Sequence, residues 1–126
     1  MILDASVLIS VDRGSESARA FLTTSDRLSE PLHTTAAVAS QVWREGGRQV
    51  RLARALQSMT VHSFVPDDIA SVGDTLRRSG TSDVVDAHLF VVAERIGHDI
   101  VTADVADFMT LRDAARGDPP QVLEWQ

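Results

Sequence analysis

The chain has 126 residues, a formal charge of −6 and 44% apolar residues, with no cysteine, and all 12 of its basic residues are arginine. That length gives one domain, residues 1–126, able to bury roughly two-thirds of its unfolded surface, and the composition excludes disulfides, thiolate metal sites and lysine-dependent chemistry. The acidic balance argues against passive coating of nucleic acid, since phosphate binding calls for local positive charge; with no apolar run near ~18 residues and no basic leader, a soluble, cytoplasmic protein is expected.

The opening MILDASVLIS reads as a short apolar strand ending near Asp4, followed by a turn or a helix start. Ser15 to Leu22 has the pattern of an amphipathic helix, and Leu32 to Thr35 of a short strand. From Thr35 to Ser58 the positions Val38, Val42, Val50, Ala53 and Leu56 keep helical spacing around Gly46-Gly47, which predicts two helices. Val61 to Val65 is a strand closed by Pro66, and Asp67 and Asp68 open a helix that runs to about Arg78 and stops at Gly80. Ser82 or Asp83 caps the next helix, Val84 to Ile96, with Val85, Leu89, Val92 and Ala93 on one stripe and Gly97 as its stop. Asp99 to Thr102 and Gln121 to Trp125 complete the strands. Strands alternating with helices predict an α/β three-layer sandwich around a central, mainly parallel sheet.

In such sheets ligands bind beyond the carboxyl ends of the strands, at the switch point of the topology. Asp4 falls at that edge of the first strand, and a buried, unpartnered carboxylate costs several kcal/mol, so it needs a cation, a hydrogen-bond network or a pocket rim. Asp83 and Asp86 lie three apart at a helix start, hence on one face. Asp104 follows directly on the strand Ile100 to Thr102, with Asp107 three further on. Each has a local explanation: a capping box for Asp83 and Asp86, turn and cap chemistry for Asp104 and Asp107, a helix cap for Asp4. All of them nevertheless map to one edge of one inferred sheet. Clustered carboxylates repel, and an oxygen-rich cluster is what Mg²⁺ or Mn²⁺ prefers.

The stretches ILDASVLI, AAVASQVWREGGRQVRLARAL, GTSDVVDAHLFVVAER and VTADVADF resemble PIN-domain proteins, and most closely the VapC-type toxin ribonucleases of bacterial toxin–antitoxin pairs. The resemblance spans nearly the whole chain. It implies that Asp4, Asp86 and Asp104 bind metal, with Asp83 and Asp107 as helpers. The family usually carries a glutamate on the helix after the second strand. The matching position here is Gln41, and Glu45, one helical turn later, is expected to supply the carboxylate instead. The resemblance further implies Mg²⁺ or Mn²⁺ as cofactor, RNA as substrate, a homodimer, and inhibition by a cognate VapB-type antitoxin.

The chemistry so implied is metal-assisted phosphodiester hydrolysis with the carboxylates as ligands. No histidine is needed as a base, and His33, His62, His88 and His98 are expected to be structural or exposed. Arg44, Arg48 and Arg51 would form one basic stripe for RNA if their segment stayed helical, and Arg77 and Arg78 are a second candidate phosphate contact. A phosphoacceptor receiver or a haloacid-dehalogenase-type phosphatase also places an aspartate after the first strand, but both depend on a lysine that this chain lacks. The remaining rival is a PIN-like binding module that has lost a ligand, for which Gln41 is the support.

Overall fold

The computed structural model describes all residues, Met1–Gln126. Five strands form one sheet: β1 (Ile2–Leu3), β2 (His33–Thr35), β3 (Thr60–His62), β4 (Ile100–Thr102) and β5 (Val122–Glu124). The order is β3-β2-β1-β4-β5 and every pairing is parallel. Seven helices cover the sheet: α1 (Ala5–Arg13), α2 (Glu16–Arg27), α3 (Ala36–Val42), α4 (Val50–Gln57), α5 (Asp68–Ser79), α6 (Val84–Ile96) and α7 (Val105–Asp113). This is the expected α/β sandwich. No helix is long and apolar enough to cross a membrane.

β1 is only two residues long yet central: Ile2 pairs with both His33 and Ile100, and Leu3 with Val101. Both side chains are fully buried, because a parallel strand is covered by helices on each face and reads as a continuous apolar run. The Asp4 N–H extends the ladder to the Val101 carbonyl at 3.0 Å, so the residue after the strand is as fixed as the strand itself. The sheet order reverses direction at β1, with β2 on one side and β4 on the other, which puts the switch point between the carboxyl ends of β1 and β4.

α6 carries more of the core than its expected stripe. Seven consecutive residues, Ala87 to Ala93, are buried, so the helix is enclosed on all sides rather than amphipathic. Val72 and Leu76 of α5 close over Ala87 and Val91, while Leu89, Phe90, Val92 and Ala93 join the main core with Phe108 of α7.

Four boundaries differ from the sequence reading. The segment after Asp4 is a full helix, α1, ended by Gly14 at φ +67°. α2 runs on to Arg27. β3 stops at His62, leaving Phe64 and Val65 outside the sheet. The segment after Asp104, read as turn and cap, is the helix α7, whose buried residues are only Phe108 and Leu111; that sparse apolar signal is why spacing did not reveal it.

Candidate acidic site at the carboxyl edge of the sheet

Three of the helices that begin at the carboxyl edge have aspartate as N-cap residue: Asp4 for α1, Asp83 for α6 and Asp104 for α7. Asp86 and Asp107 lie in the first turns of α6 and α7. Only Asp83 uses its side chain as a cap, accepting from the Asp86 N–H at 3.0 Å. Asp4 and Asp104 make no side-chain cap bond, so the capping explanation fails for both and their carboxylates stay available to a ligand.

Asp4 is buried, and its carboxyl is held by the Thr102 hydroxyl and the backbone N–H of Ala5. The Thr102 hydroxyl donates to its Oδ2 at 2.7 Å, and the same hydroxyl accepts from the Asp104 N–H at 2.9 Å. One threonine thus ties the first aspartate to the third across the switch point. Beside it, the Ala103 N–H donates to Ser6 Oγ at 2.9 Å, fastening the first turn of α1 to the turn before α7. Neither Thr102 nor Ser6 was singled out from the sequence, although both are hydroxyls within two residues of a candidate aspartate.

The electrostatics bind the group together. Burial pushes the Asp4 carboxyl above its ordinary value, the Thr102 hydrogen bond opposes this, and the charges of Asp104 and Asp83 push it further up. Asp86 is pushed up to about 7, first by burial and then by the charges of Asp83, Asp4, Asp107 and Asp104. The five carboxylates therefore act on one another, and at neutral pH Asp86 is about half protonated unless a cation offsets the repulsion. In this structure no three carboxylate or imidazole groups are drawn together at metal-holding distance; the five sit in electrostatic range rather than in contact. The donors are nonetheless all hard oxygens carrying excess negative charge, which suits Mg²⁺ or Mn²⁺.

A second buried carboxylate shows the contrast. Burial alone would raise Asp68, but the Val65 N–H at 3.1 Å, Arg95 at 2.6 Å and His88 at 3.1 Å more than offset it and hold its carboxyl low. A carboxylate kept for the fold is given its partners; Asp4 and Asp86 are given one another. An open cleft of about 290 Å³ adjoins Asp83, Asp86 and Asp107 and is lined otherwise by Thr81, Ser82, Thr110 and Leu111. Its hydroxyls and carboxylates suit hydrated or hydroxyl-bearing ligands.

Other sequence-based assignments separate from this group. α3 ends at Val42, so Glu45 is not one turn along the same helix as Gln41. It precedes a short 3₁₀ turn at Gly46–Arg48, its side chain is 68% exposed and lies 3.7 Å from Arg48, and it is not among the carboxylates that raise Asp4 or Asp86. Gln41 is exposed on α3. The arginine stripe is likewise not one face. Arg44 is in the loop, Arg48 ends the 3₁₀ turn, and Arg51 on α4 donates to the Asp12 carbonyl at 3.2 Å. There it borders an apolar groove with Arg19 and Arg54. Arg77 and Arg78 both engage Asp74, and Arg78 also donates to the Ala114 carbonyl at 2.9 Å, which ties α5 to the end of α7. None of the four histidines joins the five aspartates: His88 serves Asp68, while His33 stacks on His62 and lies against His98, with ring centroids 5.2 and 4.8 Å apart.

The PIN domain family model matches residues 1–111, and the chain belongs to the PIN-domain family. Among solved structures it is similar to the crystal structure of VapBC2 from Rickettsia felis bound to a DNA fragment from their promoter, with a TM-score of 0.71 and 14% identity over 99% of this chain and 98% of that one. At that identity the likeness is one of fold. The comparison with curated proteins gives no match.

Proposed function

We propose that the protein is a metal-dependent endoribonuclease of the VapC type, the toxin of a toxin–antitoxin pair. The observation that carries this reading is the set of five aspartates at the switch point, three of them N-cap residues of converging helices, where burial first and then the charges of the other four push Asp86 up to about 7. Membership of the PIN-domain family supports nuclease chemistry. A VapBC2 pair of the same fold supports a VapB-type antitoxin as partner, and a homodimer as the working state is proposed from the family resemblance alone.

In this reading Asp4, Asp86 and Asp104 hold Mg²⁺ or Mn²⁺, and Asp83 and Asp107 orient water beside them. The bound ion supplies charge neutralisation at the phosphate and an acidified water. Thr102 fixes the Asp4 carboxylate by its hydrogen bond, and the buried body of α6 keeps Asp86 from moving with its own charge. Glu45 is left out of the ligand set. Inhibition follows if the antitoxin places a basic side chain among the carboxylates, where charge complementarity favours it.

The test is cleavage of single-stranded and hairpin RNA by the purified chain with Mg²⁺, with Mn²⁺ and with EDTA, beside Asp4→Asn. Cleavage with either ion that stops with EDTA and is absent in a folded Asp4→Asn variant is the expected result. Metal-independent cleavage refutes the metal assignment. Intact RNA under every condition leaves a binding module in place of the enzyme.

A further inference from the structure

The chain has two tryptophans, and the structure treats them oppositely. Trp125 packs edge-to-face on Phe21 with ring centroids 5.4 Å apart, and its indole N–H donates to Ser10 Oγ at 2.9 Å. Trp43 packs on no aromatic ring, its N–H has no protein partner, and the residue is 41% exposed. An exposed indole is an unusual surface residue, and the backbone around this one is built to hold it still.

The brace is Gln49, itself buried. Its side-chain oxygen accepts from the N–H groups of Arg44 at 2.8 Å and Glu45 at 3.0 Å, and its amide donates to the Val42 carbonyl at 2.9 Å. The side chain thus satisfies the loop on both sides of Trp43, work that water does for an ordinary loop. Below the ring the backbone comes so close that a Cβ on Gly46 would lie 2.6 Å from the indole, so only glycine lets the ring rest there. Arg44 bends back to the carbonyls of Ser40 at 3.2 Å and Trp43 at 2.6 Å, leaving the other edge of its guanidinium free. Arg48 is 83% exposed and has only a loose partner in Glu45. The result is an exposed aromatic surface held by its loop, with two arginines on the same loop, on a protein whose net charge is −6.

We propose that Trp43 is a stacking platform for one unpaired base of a single-stranded nucleic acid, with Arg44 and Arg48 taking the neighbouring phosphates. Base-on-aromatic stacking beside positive side chains is how sequence-tolerant single-strand binding is built, and a rigid ring loses less freedom on binding than a mobile one. The platform stands at the far end of α3, about 12 Å along the helix from Thr35 at the carboxyl edge, where α3 starts. The assignment rests on the nuclease reading for its biological role, but not for its test.

Binding is measured by fluorescence anisotropy with short labelled oligoadenylate and oligouridylate RNA in the Asp4→Asn background, so that nothing is cut. Trp43→Ala is expected to weaken both by about tenfold, the loss of one stacked base, while Trp43→Phe keeps most of the affinity. In a Trp125→Phe chain, where Trp43 is the sole tryptophan, RNA is expected to quench the fluorescence; this readout needs no Trp43 variant to fold. Unchanged affinity in Trp43→Ala or unquenched Trp43 overturns the proposal. So does a wild-type dimer that becomes a monomer in Trp43→Ala, since the indole is then an interface between copies. RNA that quenches Trp43 but is never cleaved by the wild type refutes the nuclease reading alone, and cleavage with wild-type KM in Trp43→Ala refutes the platform alone.

Discussion

Thr102→Val removes one hydroxyl and nothing else of comparable size, at a point where that hydroxyl serves two aspartates. It donates to buried Asp4 at 2.7 Å and accepts from the Asp104 N–H at 2.9 Å. A hydrogen bond to a charged acceptor contributes about 1.5–3 kcal/mol and one between neutral groups about 0.5–1.5 kcal/mol. The methyl that replaces the hydroxyl returns somewhat under 1 kcal/mol of apolar burial. The expected net loss is about 2 kcal/mol, which for a domain of this size lowers Tm by about 8 °C. The Asp4 carboxyl should also rise further, because the larger of the two hydrogen bonds that hold it down, with Thr102 rather than with the Ala5 N–H, is the one removed. Thermal unfolding followed by circular dichroism without divalent metal measures the first effect, and the Mg²⁺ concentration needed for half-maximal cleavage measures the second. Thr102→Ser, which keeps the hydroxyl, is the control and should retain the Mg²⁺ requirement. A valine variant within about 0.5 kcal/mol of wild type, with an unchanged Mg²⁺ requirement, refutes the claim that Thr102 holds the site together.

Asp86 gives a prediction with a definite sign. Its folded value stands at about 7 against 3.8 for the ordinary side chain, so the folded state holds the extra proton between those values and stability falls as pH rises through the window. His33 and His62 are lowered from 6.5, chiefly by burial, so they add stability as pH rises through 6.5, opposite in sign to Asp86. The informative quantity is therefore the difference between wild type and Asp86→Asn over about pH 6.5 to about pH 8, in which the histidine contribution cancels. Without metal the stability of wild type relative to Asp86→Asn should fall over that step, with Mg²⁺ reducing the change; parallel denaturant-unfolding profiles would sink the idea. Glu45→Gln should cleave RNA with the wild-type Mg²⁺ requirement, since Glu45 is exposed and beside Arg48, and a raised requirement would return it to the ligand set.

The alternation of strands and helices, the apolar run of β1 and the carboxyl-edge positions of Asp4, Asp86 and Asp104 were all legible in the sequence, because each rests on a local signal: an apolar run, a cap, a glycine stop. Even the placement of Asp4 at the centre of the edge followed from the topology that such alternation allows. What the sequence misjudged lay where a distant partner overrode a local pattern. The spacing of Arg44, Arg48 and Arg51 suits a helix, but Gln49 takes the Val42 carbonyl and the Arg44 and Glu45 N–H groups. That ends α3, separates Glu45 from Gln41 and presents Trp43. The bond from Thr102 to Asp4 spans 98 residues, and no periodicity announces it. Nor could composition tell Asp68 from Asp86: both are carboxylates near the start of a helix. Only packing gives the first an arginine, a histidine and a backbone N–H, and surrounds the second with four other aspartates. The chain itself determines which residues can form the elements and reach the edge. Tertiary structure decides which charges are satisfied and which are left for a ligand, because that depends on burial and on neighbours brought from far along the chain.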